Sequence, residues 1–243
     1  MLLKISTNPQ LRSFIREIGV PELLAKIFRR VSTYEKTFST IMLRSIKEGD
    51  TVWDIGANIG YYTLKFAHLV GDTGQVIAFE PVENSYFRLV NACKNEGLQN
   101  VVLKQFALGH CEDSFTIFVT NDNDGTTNSL VMNNSEMSTQ ERKKEELVIV
   151  KQGDLLITEG LPAPTVIKID VEAYEEEVLF GLRNYLHTGK LRSIFCEVHF
   201  EQLARRGCKN APYRIESLLK DAGYVVRYTD TSHFHAYRKN KKT

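Results

Sequence analysis

The stretch VWDIGANIGYYT at residues 52–63 decides the fold of this chain. An apolar run ends at Asp54, a loop bounded by Gly56 and Gly60 follows, and a helical pattern begins at Tyr61. Glycine lets the backbone approach a ligand closely, and a helix N-terminus presents free N–H groups. In an open α/β sheet, such a loop lies in the crevice where ligands bind. We therefore expect a ligand at this loop.

The loop departs from the dinucleotide-binding pattern G-x-G-x-x-G, because it reads D-x-G-x-N-x-G and lacks the middle glycine. A pyrophosphate would have a poorer cradle there. The second apolar strand ends in Glu80, 26 residues after Asp54, where a carboxylate can accept hydrogen bonds from a ribose diol. The missing middle glycine and Glu80 together favour a nucleoside cofactor without a pyrophosphate. A loop needed only for packing and a nicotinamide-dependent oxidoreductase are the alternatives.

The composition is that of a globular protein with one large domain, with or without an appendage. The chain has 243 residues and a net charge of +1, which gives no support for binding nucleic acid or an anionic membrane. It contains no apolar run of about 18 residues, so we expect no membrane span. The four cysteines form no C-x-x-C pair, which favours a reducing, cytoplasmic location without disulfides or a zinc cluster.

Strand-like and helical segments alternate from residue 50 onward, which predicts a mostly parallel sheet with helices on both faces. The short link TDTS predicts an antiparallel hairpin at the C-terminal end. The predicted strands are 51–55, 75–80, 100–106, 165–170, 191–198, 224–228 and 233–238, and the predicted helices are 61–70, 83–96, 174–186 and 211–221.

Two regions lie outside this alternation. Residues 1–49 are predicted to form an N-terminal helical extension, with helical spacing over 10–48, and residues 50–243 form the Rossmann-like domain. A polar insert at 120–146 separates two strand-like segments, 115–119 and 147–150, which indicates a small β insert. The charged end of this insert is either a solvated helix face or a mobile lid over the site.

An ordered series of motifs resembles the FkbM family of methyltransferases: DIGANIGYYT (54–63), AFEP (78–81), LVNACKN (89–95), FALG (106–109) and IKIDVEAYE (167–175). The resemblance covers roughly residues 35–200 and implies a class I methyltransferase fold, with a seven-stranded sheet, that uses S-adenosylmethionine. One departure is Ala173, where the family has glycine in D-V-E-G-x-E. A small residue preserves helix packing but leaves the loop conformation open.

The resemblance also implies which residues bind the cofactor. Asp170 is expected near the sulfonium, and Glu80 with Pro81 at the ribose. Phe106 and Ala107, at the end of the third strand, are expected to border the adenine. The remaining residues are expected to line the methionine and ribose portion: Asp54, Gly56, Asn58, Ile59 and Gly60.

Methyl transfer to an alcohol requires that the hydroxyl lose its proton to a base or to a metal-assisted pathway. The catalytic candidates at the strand ends are Lys168, Asp170, Glu172 and His199. Glu172 and Glu175 could instead be helix-capping acids, and His199 could be a surface histidine. We expect no metal, and the alternative is a divalent ion held by Asp170, Glu197 and His199. His233 and His235 are expected only to decorate a sheet face.

The resemblance implies O-methylation of a hydroxyl on a sugar or small secondary metabolite. The expected partner is therefore a small-molecule or glycan acceptor, with no nucleic acid. A nucleic-acid methyltransferase and a non-catalytic module that binds a nucleoside cofactor are the alternatives. The sequence gives no argument for an oligomeric state.

Overall fold

The computed structural model of the protein describes residues 37–119 and 144–239. The helices predicted before residue 37, most of the insert at 120–146 and the tail at 240–243 lie outside the described residues. The described part of the first helix, α1, covers residues 37–45.

Seven strands form the main sheet in the order β3-β2-β1-β7-β8-β10-β9. Its neighbours pair in parallel except for β10, which is antiparallel to both β8 and β9. This confirms the mostly parallel sheet with an antiparallel C-terminal hairpin. The strands are β1 (Thr51–Ile55), β2 (Gln75–Phe79), β3 (Val101–Lys104), β7 (Val166–Ile169), β8 (Ser193–Glu197), β9 (Val225–Tyr228) and β10 (His233–Tyr237).

A second, three-stranded sheet follows the order β4-β6-β5. It consists of β4 (Ala107–Gly109), β5 (Asp113–Val119) and β6 (Lys144–Gln152). The third strand of the main sheet therefore ends at Lys104 and not at the predicted Phe106, because Ala107–Gly109 pair with β6 instead. The sequence indicated β5 and β6 but gave no separate strand β4.

The helix predicted at 174–186 is two shorter helices. The break falls at Leu182, whose φ of −110° and ψ of 8° leave the helical region. Gly181 precedes it, and a Cβ at this position would lie 1.9 Å from the carbonyl oxygen of Gly109, so glycine permits the close approach of this helix to β4. The helices after α1 are α2 (Tyr61–Val70), α3 (Glu83–Asn95), α4 (Gly153–Thr158), α5 (Glu175–Gly181), α6 (Arg183–His187), α7 (Phe200–Arg205) and α8 (Ala211–Asp221).

Both faces of the main sheet are buried under helices. On β1, Trp53 and Ile55 belong to one apolar cluster, which also holds Leu179 of α5 and Ile215 of α8. Val52 belongs to a second cluster on the other face, with residues of α1 and α2. This alternation follows from the two-residue period of a strand. No described helix is long and apolar enough to cross a membrane.

Candidate active site

The glycine loop after β1 is held against the end of β7. Gly56 has a φ of +77°, and a Cβ at this position would lie 1.9 Å from the carbonyl oxygen of Asp170. Its N–H donates to the carbonyl oxygen of Phe79 at 3.0 Å. Only glycine fits between these strand ends, so the loop and Asp170 form one continuous edge.

Glu80 fixes the same loop from β2. Its Oε2 accepts the N–H of Asn58 at 2.8 Å, and its Oε1 accepts the N–H of Val82 at 2.9 Å. Burial raises the pKa of Glu80 to about 7, although both hydrogen bonds act in the opposite direction. Each carboxylate oxygen can accept a further hydrogen bond, so Glu80 retains capacity for a ligand hydroxyl.

Asp54 and Lys168 form a buried ion pair beneath the loop. Asp54 is fully buried and accepts a hydrogen bond from the Thr63 hydroxyl at 2.6 Å. Lys168 Nζ lies 3.3 Å from Asp54 and 3.6 Å from Asp170, and it donates to the Gly56 carbonyl oxygen at 2.7 Å. Burial opposes the charged form, but the two carboxylates outweigh it and raise the pKa of Lys168. Lys168 is therefore a positioning residue, because its contacts hold the two carboxylates and the glycine loop together.

A pocket opens above this edge, at the carboxyl ends of β1, β2 and β7. Of the residues that the sequence predicts for the site, seven line it: Gly56, Asn58, Glu80, Pro81, Ala107, Asp170 and Glu172. Asp54 and Lys168 lie beneath the loop, as described above, and four more predicted residues are outside the lining: Ile59, Gly60, Phe106 and His199. Gly60 instead ends the loop in a left-handed conformation at the N-terminus of α2, and Phe106 packs on Phe79.

The small sheet supplies an apolar wall that sequence reasoning did not assign to the site. Phe115 and Ile117 of β5 and Val148 of β6 line the pocket. Tyr174 stacks on Phe115 with ring centroids 5.2 Å apart, and the Arg206 guanidinium lies 4.2 Å from the Tyr174 ring centre. The period-two spacing of Phe115 and Ile117 was a usable signal, since it places both side chains on one face of a strand.

Acidic side chains surround His199 at the open edge of this pocket. His199 Nδ1 lies 2.7 Å from Oε1 of the fully buried Glu175. Its Nε2 lies 3.7 Å from Asp170 Oδ1 and 3.4 Å from Glu172 Oε2. Burial alone would lower the pKa of His199, but Glu175 and the neighbouring carboxylates raise it to about 9.

The turn between β7 and α5 settles the conformation at Ala173. Glu172 and Ala173 have φ values of 52° and 73°, so Ala173 adopts the left-handed conformation that glycine prefers. Its N–H donates to Glu175 Oε1 at 2.9 Å. The loop therefore retains a conformation suited to glycine, although alanine occupies the position.

Glu197 pairs with a second histidine, His233 of β10. His233 Nε2 lies 3.3 Å from Glu197 Oε2, and His233 Nδ1 lies 2.9 Å from Asp230 Oδ1. Burial would lower the pKa of His233, but the two carboxylates raise it to about 10. His235 stacks on Phe195 with ring centres 4.2 Å apart, and burial lowers its pKa to about 4.

The family assignment rests on a match over most of the chain. A family model described as the methyltransferase FkbM domain matches residues 54–226. The chain belongs to the FkbM methyltransferase family. The resemblance expected from the sequence is confirmed, because the matching model describes a methyltransferase domain.

This FkbM chain is similar to a curated protein and to a solved structure. Over 167 residues it is 28% identical to the hexuronic acid methyltransferase AglP of Haloferax volcanii, and the match covers 68% of the chain and 62% of AglP. The chain thus spans less than two thirds of that relative. A crystal structure from Clostridium thermocellum, described as an rRNA-methylase, superposes with a TM-score of 0.51 at 14% identity, covering 85% of this chain and 96% of the other. This second likeness shows a shared fold.

The pocket of the FkbM domain fits the cofactor. Its apolar wall of Phe115, Ile117 and Val148 suits an aromatic base, and Glu80 can accept ribose hydroxyls. Asp170 adds a carboxylate to the lining, about a third exposed, which can stabilise a cation such as a sulfonium. Gly56 and Asn58 of the loop also line the pocket and would contact the remaining portion of the ligand.

Proposed function

We propose that the protein transfers a methyl group from S-adenosylmethionine to a hydroxyl oxygen of a sugar, with hexuronic acids as the acceptor class. The similarity to a hexuronic acid methyltransferase supports this choice of acceptor. When bound, S-adenosylmethionine supplies an electrophilic methyl group on sulfur and leaves as S-adenosylhomocysteine.

The observation that carries the proposal is the position of Asp170. It lines the cofactor pocket, and its Oδ1 faces His199 Nε2 across 3.7 Å. Groups able to accept a proton therefore stand directly beside the place where the methyl group is delivered. A sugar hydroxyl is a weak nucleophile that must lose its proton during transfer, so this edge matches the need of the reaction.

Within this proposal, each residue has a limited role. Asp170, Glu172 and His199 together promote loss of the hydroxyl proton, and Lys168 holds Asp170 and the glycine loop in place. Correct alignment of acceptor and cofactor can lower the activation barrier by about 7–11 kcal/mol. The aromatic and apolar wall around Phe115 and Tyr174 excludes water from one side of the pocket.

The proposal is tested with S-adenosylmethionine carrying a deuterated methyl group. Glycosides of glucuronic and galacturonic acid, and matched neutral hexosides, are incubated with the protein and analysed by mass spectrometry. We expect a labelled methyl ether on the uronic acids and a large loss of product in Glu172→Gln. Label only on nitrogen or RNA, or no labelled sugar although S-adenosylhomocysteine binds, would overturn the proposal.

A further inference from the structure

Three side chains converge at the open edge of the pocket. Asp170, Glu172 and His199 each offer one ligand atom, and these atoms lie within 4.8 Å of one another. We propose that they bind a divalent cation, which would contact the acceptor hydroxyl. This inference rests on the proposed function for its role, but the site itself does not depend on it.

The distances within the cluster fit coordination better than hydrogen bonding. His199 Nε2 is 3.7 Å from Asp170 and 3.4 Å from Glu172, and both separations exceed ordinary hydrogen-bond lengths. With metal–ligand bonds of about 2.1 Å, neighbouring ligands in an octahedron lie about 3.0 Å apart and opposite ones about 4.2 Å. The two separations from His199 fall between these limits, and all three ligand atoms lie within 4.8 Å of one another, so side-chain movements would place them around one ion.

The imidazole is oriented as a metal ligand would be. A ligating histidine usually donates its other ring N–H to a carboxylate or carbonyl oxygen, which fixes its tautomer and orientation. Here Glu175 Oε1 accepts from Nδ1 at 2.7 Å, which turns Nε2 toward Asp170 and Glu172. Glu175 is fully buried, and its Oε2 has no hydrogen-bond partner among the described residues. Glu175 therefore holds the ring from behind through Oε1 and leaves its second oxygen without a partner among these residues.

Glu172 is held in a similar way. Its Oε2 accepts a hydrogen bond from Gln202 Nε2 at 2.5 Å. Glu172 and Asp170 have side chains 31% and 35% exposed, so one side of the cluster is open to water and to an acceptor hydroxyl. The only Lys or Arg side chain with a described ion pair to this trio is Lys168, at 3.6 Å from Asp170, and it also neutralises Asp54.

The ligand set differs from the alternative considered from sequence. Glu197 is not in the cluster, because its carboxylate pairs with His233 at 3.3 Å, and Asp230 holds that ring from the other side. Glu172 takes its place, since the left-handed turn after β7 brings this residue beside His199. One imidazole and two carboxylates suit ions such as Mn²⁺.

A cation at this site would serve the proposed reaction directly. A hydroxyl bound to a divalent ion loses its proton more readily, because the ion stabilises the alkoxide. The released proton would pass to solvent through the open side of the cluster. Asp170 would then border both the cofactor pocket and the ion, and the acceptor oxygen would be fixed between them.

The site is tested by titrating the full chain with Mn²⁺, without cofactor or acceptor, while the signal of free Mn²⁺ is followed by electron paramagnetic resonance. We expect one saturable site in the wild type and at least tenfold weaker binding in Glu172→Gln and His199→Gln. Glu197→Gln is the matched control, since it removes a charge from the same sheet edge and should bind normally. Thermal unfolding and S-adenosylhomocysteine affinity check that each variant is folded.

No saturable site in the wild type, or an equal loss in Glu197→Gln, would overturn the metal proposal. A parallel assay of methyl transfer in the presence of a chelator separates the metal proposal from the proposed function. If methyl transfer to a sugar persists in a chelator and no Mn²⁺ binds, the metal proposal fails and the proposed function stands. If Mn²⁺ binds as expected but no sugar is methylated, the metal site stands and the proposed function fails.

Discussion

His199 Nδ1 lies 2.7 Å from Oε1 of Glu175, a carboxylate that is fully buried and that also accepts the N–H of Ala173. One side chain thus fixes both the His199 ring and the turn that follows β7. Glu175 is therefore a positioning residue for the site.

Glu175→Ala should lower the rate of methyl transfer by about 10–100-fold, the usual effect of removing a carboxylate that orients a functional histidine. Glu175→Gln should retain part of the rate, because its amide oxygen can still accept one hydrogen bond. Initial rates at saturating and limiting acceptor separate a loss of kcat from a rise of KM. Glu176→Gln is the control, since Glu176 lies next in sequence but pairs with Arg214. Equal losses in both glutamine variants would contradict the role assigned to Glu175.

Gly56→Ala should abolish cofactor binding and destabilise the fold, since the added Cβ would lie 1.9 Å from the Asp170 carbonyl oxygen. Gly97→Ala is a matched control, because Gly97 also has a positive φ, +66°, but no atom within 4 Å of the added Cβ. The control should lose only about 1–2 kcal/mol for the left-handed conformation. Urea unfolding of both variants measures the difference, and similar losses would show that the close approach is unimportant.

Lys168→Met should reduce the free energy of unfolding by about 3–5 kcal/mol, because it leaves the fully buried Asp54 without its ion-pair partner. The double variant Asp54→Asn/Lys168→Met should recover part of this loss, since no buried charge then remains at that pair. Chemical denaturation of the two single variants and the double variant forms a thermodynamic cycle. Strictly additive losses would contradict the coupling.

The two histidines of β10 should have opposite effects on how the free energy of unfolding depends on pH. The pKa of His233 rises to about 10 in the folded chain from 6.5, so its contribution is complete below pH 6.5 and is lost as pH rises through about 10. The pKa of His235 falls to about 4 from 6.5, so its contribution is present above pH 6.5 and is lost as pH falls toward 4. His233→Gln should weaken the pH dependence of the free energy of unfolding at alkaline pH, and His235→Gln should weaken it at acidic pH. Curves parallel to the wild type in urea unfolding would refute both assignments.

The main sheet was predictable because its strands carry local signals. Apolar runs such as 51–55, bounded by turn residues, predicted the strands and their mostly parallel arrangement, and α8 coincides with the helix predicted at 211–221. The break at Leu182 was not predictable, because it depends on the packing of Gly181 against Gly109 in a distant strand.

The site was predictable only in part. The loop glycines and Glu80 follow strand ends and can be read from their spacing. The pairing of Glu197 with His233 and of Glu175 with His199 depends on how a hairpin and a helix terminus pack. The wall formed by Phe115, Ile117 and Val148 depends on a second sheet whose placement has no local signal.

Isothermal titration calorimetry with S-adenosylhomocysteine, on the wild type and on Glu80→Ala, tests the placement of the cofactor pocket most directly. Glu80 joins the glycine loop to β2 through the N–H groups of Asn58 and Val82 and is the proposed partner of the ribose hydroxyls. We predict one binding site in the wild type and at least tenfold weaker binding in the variant. Equal affinities, or no binding by the wild type, would contradict this account.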